Sequence, residues 1–326
     1  MAQATIRDVA READVSVASV SRALNGHSNV RPELRLHIET VAAALGYVPH
    51  AGARNLSMAR ANAIGVVLPD LHGEFFSETL RGMDRAASER GLQLLLSNLH
   101  DGDRAVRMLH TMRGRVDGLI IMAPHIDPDL LLAGLPPSIP AVLVNCDAPG
   151  KDRPTLRVDN VAGARTMTEH LIATGRREIV HLSGPDSNAE ARERIAGYRA
   201  AMEAAGLAPH IVAGDFMQET GVALTPQILR DYPTADAIFA ANDMMALGVL
   251  IALRAAGVDV PGRIALAGFD DVPLSRLISP ALTTMHVDIA GIGARAIARL
   301  TEAIAGSTDH ALEVSLPELM IRETTK

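Results

Sequence analysis

The chain has 326 residues, 48% of them hydrophobic and 21% charged, which suits two or three globular domains and excludes a disordered polypeptide. A formal net charge of −7 argues against indiscriminate binding to nucleic acid, and the single cysteine, Cys146, excludes an internal disulfide or a cysteine-based zinc site. No apolar run reaches the ~18–20 residues of a membrane helix, and the N-terminus leads into Arg7, Asp8, Arg11 and Glu12 without a secretory apolar core, so no membrane partner and a cytoplasmic location are expected.

The first stretch, TIRDVAREADVSVASVSR from Thr5 to Arg22, reads as two short helices joined by a tight turn. Ile6, Val9, Ala10 and Ala13 recur at helical spacing, and Thr5 with Asp8 fits a capping box. Ser16 stands where the second helix needs its N-cap, and Val20 and Leu24 supply that helix's buried side. The reversal at Ala13, Asp14 and Val15 gives the geometry of a helix-turn-helix, whose second helix enters the DNA major groove by its first residues. Asn25 and Gly26 signal a turn, Pro32 opens a third helix with Leu34, Ile38, Val41 and Leu45 inward, and Gly46 stops it. Residues 1–60 carry seven arginines against five acids, a mildly basic head on an acidic body.

Residues 47–61, YVPHAGARNLSMARA, read as a linker in which Pro49 breaks the chain. The segment after it has one or two helical turns at most, marginal alone because nucleation is costly and Gly52 weakens the helix by about 1 kcal/mol relative to Ala. From Ala63 the pattern alternates. Strands are expected at 64–68, 93–97, 118–121, 141–144, 156–158, 179–182, 211–213, 237–240 and 264–268, with amphipathic helices at 76–90, 162–174, 190–205 and 244–256 among them. This βαβ series implies an α/β fold of two doubly wound parallel-sheet lobes, with a ligand cleft at the carboxyl ends of the strands.

The ordered blocks TIRDVAREADVSVASVSRALNG, LGYVPHAGARNL, RIAGY, ANDMMALG, GFDDVPLS and PALTTMHVD resemble those of the LacI/GalR family of bacterial transcriptional regulators over nearly the whole chain. The resemblance implies a helix-turn-helix DNA-binding headpiece at 1–47 and a hinge helix at 48–61. It also implies a periplasmic-binding-protein-like core at 62–326, built as one lobe of 62–158 and 289–315 and a second of 159–288 and 316–326. The chain would cross between lobes near Asp159, Asp288 and Leu316. It further implies a homodimer on a pseudopalindromic operator, repression of a carbohydrate-utilisation operon, and a small-molecule effector, a sugar first of all, in the interlobe cleft.

By the same resemblance Val17 and Ala18 meet bases by apolar contact, and Arg22 is the base-edge donor. Thr5, Ser16, Ser19 and Ser21 reach phosphates, while Leu56 wedges into the minor groove with Ala53 on the same face. Asp14 replaces a usual turn Gly, Arg31 a capping Ser, and His50 an Asn before the hinge. In the core, Arg194, Asp270, Asn242 and Asn145 are the polar effector contacts, with Asp243 in support. Phe216 stacks on the ligand, and Phe75 and Phe76 lie at the cleft mouth. Met122 stands where some sugar-binding members have a polar residue, which leaves the effector open between a sugar and a nucleobase or other metabolite.

A solute receptor would share the core but not the head, and would need an export signal. An enzyme is the other class. Gly291-Ile-Gly293-Ala-Arg-Ala296 satisfies a dinucleotide pattern with Glu313 about twenty residues on, but too little chain follows for the βαβ units it needs, so it reads as a helix start. Asp70-Leu-His72 and His181-Leu-Ser183 lack the spacing of a zinc site or a nucleophile elbow. No cofactor, no metal and no catalytic set are expected. No leucine heptad follows the last strand, so a tail-mediated tetramer is not expected either.

Overall fold

The computed structural model describes residues 4–25, 27, 29–48, 60–69, 73–99, 102–135, 138–146 and 153–326. Two compact units form, Met1–Asn62 and Ala63–Lys326. His50, Ala53 and Leu56, to which the resemblance gives hinge roles, lie outside the described residues.

The first unit contains helices α1 (Ile6–Glu12), α2 (Val17–Leu24) and α3 (Pro32–Ala44). Asp8 Oδ2 accepts from the Thr5 backbone N–H at 3.0 Å and the Thr5 hydroxyl at 2.7 Å, which satisfies an N–H that the first turn leaves orphaned. Asp14 takes φ +51°, a left-handed conformation that Asp tolerates better than most residues, and the chain reverses there. Ser16 Oγ then accepts from the Ser19 N–H at 3.1 Å and starts α2. Arg31, at the N-cap of α3, makes no side-chain cap, and Pro32 alone shapes that first turn. Val9, Val20 and Ile38 are fully buried at the centre of a small core. Arg35 donates to the carbonyls of Ala23 at 3.2 Å and His27 at 2.6 Å, tying α3 to the end of α2.

In the second unit a parallel six-stranded sheet runs in the order β11-β5-β4-β3-β1-β2. Its strands are β1 (Ala63–Leu68), β2 (Gln93–Asn98), β3 (Gly118–Met122), β4 (Ala141–Val144), β5 (Thr155–Val158) and β11 (Leu312–Ser315). The strands AIGVVL, GLIIM and AVLV are near-continuous apolar runs because helices cover both faces. Helices α4 (Glu74–Ser88), α5 (Gly102–Met112), α6 (Pro128–Gly134) and α11 (Ile289–Ile304) accompany this sheet. α4 and α11 approach until backbones touch: a Cβ on Gly82 would sit 1.9 Å from the Ala290 carbonyl oxygen.

The second sheet is also parallel, ordered β7-β6-β8-β9. It comprises β6 (Ile179–Ser183), β7 (His210–Ala213), β8 (Ala237–Ala240) and β9 (Ala265–Ala267), with helices α7 (Asn160–Ala173), α8 (Ala189–Ala204), α9 (Gln218–Asp231) and α10 (Asp243–Ala255). β10 (Thr284–His286) and β12 (Glu318–Met320) form an antiparallel pair, and bridges from Ala267 to Thr283 and from Asp270 to His286 join it to the end of β9. The chain therefore passes between the two sheets after β5, after β10 and after β11.

All nine expected strands form, each within two residues of its expected ends. The nine strand ranges do not include β10, β11 and β12, of three or four residues, and the helices given as examples do not include α5, α6 and α9. α9 carries Pro226 in its interior, which argues against a helix when read alone. The segment Gly291-Ile-Gly293 lies inside α11, with Asp288 Oδ1 accepting from the Gly291 N–H at 3.0 Å. Glu313 is ion-paired to Arg295 at 2.7 Å. Among the described residues no helix is long and apolar enough to cross a membrane.

Candidate functional site

The carboxyl ends of both sheets converge on a cleft open to solvent. Phe75 follows β1, Met122 ends β3, Phe216 follows β7, Asn242 follows β8 and Asp270 follows β9, and all of them line it with Arg194 of α8. Three of the expected effector residues have left-handed backbones: Asn145 at φ +50°, Phe216 at +72° and Asp270 at +108°. Each such residue costs on the order of 1–3 kcal/mol, and strain of this kind concentrates where side chains must be aimed at a ligand.

Arg194 is the centre of the polar wall and is only 4% exposed. Its Nε–H donates to Asn160 Oδ1 at 2.9 Å and its Nη1–H to the Ala241 carbonyl. Nη2 lies 3.3 Å from Asp270 Oδ1 and 3.9 Å from Glu190 Oε1. The Phe269 ring packs under the guanidinium at 3.9 Å, a cation–π contact in a desolvated place. Burial holds the Asp270 carboxyl well above the usual range despite Arg194 beside it, and burial likewise raises Glu190. Asp270 Oδ1 is buried, and its contact with Arg194 Nη2 is an ion pair without hydrogen-bond geometry.

Phe216 lies across Gly184, where a Cβ would come within 2.3 Å of its ring, so only glycine lets the ring settle there. Phe75 and Phe76 meet edge to face with centroids 5.6 Å apart, and both line the cleft. Asn242 lines the cleft too, but its amide is also structural: Oδ1 accepts from the Met245 N–H at 2.9 Å to cap α10, and Nδ2 donates to the Phe216 carbonyl at 2.9 Å. Asp243 lies behind the wall, accepting from the Val272 N–H and from the hydroxyls of Ser275 and Thr284. Burial pushes its pKa up to about 7 against the pull of those donors.

Asn145 is not among the described residues that line the cleft. It is buried behind it, and its Nδ2 donates to Glu190 Oε1 at 2.9 Å. Glu190 itself, Asn160 and Phe269 were not expected at the site. Glu190 had a readable signal, since it precedes Arg194 by four residues and so shares its helix face.

In the first unit, α2 presents Ser16, Val17, Ala18 and Arg22 as exposed side chains, with Val17 at 42%. Ser19 and Ser21 are half-buried, and Thr5 is exposed at the start of α1. The Arg22 Nε–H donates to the Ala18 carbonyl at 3.2 Å, so the guanidinium lies along the same face of α2.

Residues 5–50 match the model of the bacterial regulatory proteins of the lacI family, and residues 168–325 that of a periplasmic binding protein-like domain. The chain is 32% identical over 329 residues to catabolite control protein A of Priestia megaterium, covering 99% of each. It is 34% identical over 324 residues to the ribose operon repressor of Escherichia coli (strain K12), covering 98% of each. The chain belongs to the lacI family of bacterial regulatory proteins. Among solved lacI-family structures, the lac repressor dimer bound to operator and the anti-inducer ONPF superposes with a TM-score of 0.90 at 29% identity, over 99% of each chain. The complex of the regulator CelR with cellobiose gives 0.74 at 31% identity, over 98% of this chain and 99% of that one.

Proposed function

We propose that this lacI-family protein is a homodimeric repressor of a carbohydrate-utilisation operon, acting in the cytoplasm, whose affinity for a pseudopalindromic operator is set by a sugar in the cleft. One observation carries the reading: the same chain holds an exposed helix-turn-helix face and a cleft where the buried Arg194–Asp270 pair faces aromatic rings. The operator-bound lac repressor dimer and the cellobiose-bound CelR complex support the two halves. We assign the headpiece to 1–47, the hinge to 48–61 and the core to 62–326, with the lobes dividing at about 158, 288 and 315.

In this reading α2 enters the major groove, where Val17 and Ala18 supply apolar contact and Arg22 a base-edge donor. Thr5, Ser16 and Ser21 hold phosphates, which fixes register without reading sequence. Leu56 and Ala53 of the hinge engage the minor groove. Phe75, Arg194, Phe216, Asn242 and Asp270 hold the sugar, with Asn145 acting through Glu190. The rings cover the apolar face of the sugar and the polar wall takes its hydroxyls. Sugar binding changes operator affinity through a coupling free energy of about 1–3 kcal/mol. The chain acts by binding, and no catalytic step is assigned to it.

The test is fluorescence anisotropy of the full protein on DNA upstream of the neighbouring operon, with and without a sugar panel. Specific binding that shifts several-fold with one sugar supports the reading. Specific binding insensitive to every sugar but responsive to adenine or hypoxanthine replaces the sugar by a nucleobase.

A further inference from the structure

The cleft carries an excess of negative charge. Among its described lining residues Arg194 is the one cation, while Glu190 and Asp270 are carboxyls on the same wall. Every nitrogen of Arg194 already faces a protein acceptor: Asn160 at Nε, the Ala241 carbonyl at Nη1, and Asp270 and Glu190 at Nη2. One face of the guanidinium is covered by Phe269. Toward the mouth, the described lining adds Glu74, Asp215 and Glu219 and no lysine or arginine. What this wall offers a ligand is acceptors, the carboxyls of Asp270 and Glu190.

We infer that the cleft takes an uncharged or amine-bearing polyhydroxyl ligand and excludes sugars that carry a phosphate or a carboxylate. The inference rests on the sugar reading above and narrows it. Hydroxyl or ammonium groups donate to the carboxyls of Asp270 and Glu190, which line the cleft. An anionic group would have to lose its hydration beside two carboxyls, with no uncommitted cation among the described lining residues to replace it. Focusing of the field in a low-dielectric cleft extends the repulsion to the mouth. Burial raises both Asp270 and Glu190, so a protonated carboxyl softens the repulsion at lower pH, but the wall gains no positive charge by it.

The experiment is thermal shift followed by calorimetry on the full-length protein at pH 7.5. The neutral and amine-bearing probes are D-ribose, D-glucose, D-galactose, cellobiose and D-glucosamine. The anionic counterparts are ribose 5-phosphate, glucose 6-phosphate and D-glucuronate. At least one neutral or amine-bearing sugar is expected to bind, with its anionic counterpart at least about a hundredfold weaker. Glu190→Gln, which keeps an acceptor for the Asn145 amide and removes one charge, is expected to narrow that gap about tenfold. An anionic counterpart that binds as tightly as the neutral sugar, at a site lost in Asp270→Asn, overturns the inference and leaves a sugar-responsive regulator standing. Silence from every neutral and amine-bearing sugar while an anionic one binds overturns the inference alone, and silence from the whole panel overturns both.

Discussion

The side-chain oxygen of Asn160 accepts the Nε–H of Arg194 at 2.9 Å, joining the first residue of α7 to the middle of α8 across 34 positions of sequence. Asn160 is held in turn, its Nδ2 donating to Glu193 Oε2 at 3.0 Å and to the Val158 carbonyl at 3.3 Å. The guanidinium at the cleft is therefore aimed from the point where the chain leaves β5. Asn160 acts through Arg194 and is a positioning residue.

Asn160→Ala leaves a buried guanidinium donor unpaired, which costs about 1–3 kcal/mol. The variant is expected to lose that much in urea unfolding and to bind its sugar about tenfold more weakly. Asn160→Asp keeps the acceptor for Arg194 but places a carboxylate against Glu193. It is expected to be as unstable as the alanine variant or more so, yet to retain sugar affinity better. Equal loss of affinity in both would mean that Asn160 supports the fold alone.

Gly184→Ala forces the Phe216 ring away, because the new Cβ would lie 2.3 Å from the ring edge. Overpacking of this kind costs about 1–3 kcal/mol. Since the ring is half-buried and can swing into the cleft, the loss should appear in sugar affinity, about tenfold or more, rather than in melting temperature. Calorimetry of the variant checks it, and operator affinity without sugar is expected to be unchanged.

Much of the fold is legible in the residues themselves. Strands such as GLIIM and AVLV read as buried parallel strands because helices cover both their faces. The strands TMH and ELM do not, since three residues carry no periodicity and their pairing is set by partners far along the chain. At the site, Asn242 precedes an apolar run after Ala241, and a cap and a ligand contact leave the same trace there; the structure gives it the cap and a place on the wall. Phe269 gave no signal, because a ring beneath an arginine looks in sequence like any core aromatic. The left-handed backbones at Asn145, Phe216 and Asp270 were equally silent, as none is a glycine.

Arg22→Ala removes a guanidinium that lies along the exposed face of α2. If Arg22 reads a base edge, operator affinity falls by about 1–3 kcal/mol while affinity for random-sequence DNA falls far less. Leu56→Ala, at the hinge position assigned by family resemblance, is expected to weaken operator binding and bending and to spare sugar affinity. Anisotropy on operator and scrambled duplexes separates the two effects. An Arg22→Ala variant that loses both affinities equally would mark Arg22 as a phosphate contact.

His181, in the middle of β6, makes stability depend on pH with a definite sign. It is fully buried between Tyr198 and Phe239, with ring centroids at 5.1 and 4.8 Å. Nδ1 lies 2.9 Å from the Phe239 carbonyl, which can only accept, so the ring is neutral with its proton on Nδ1. Nε2 has no partner, and burial lowers the pKa to about 4 from an ordinary 6.5. As pH falls through 6.5 the unfolded chain takes up a proton that the folded chain refuses until about pH 4. Stability is therefore complete above 6.5, declines between 6.5 and 4, and levels off below, a loss of about 3 kcal/mol in all from this one group. His181→Phe keeps the aromatic stack and cannot titrate. Urea unfolding at pH 7.5 and 5.0 should show about 2 kcal/mol more loss in the wild type than in the variant. Parallel losses in the two proteins would mean that His181 is protonated as readily folded as unfolded, which its burial forbids.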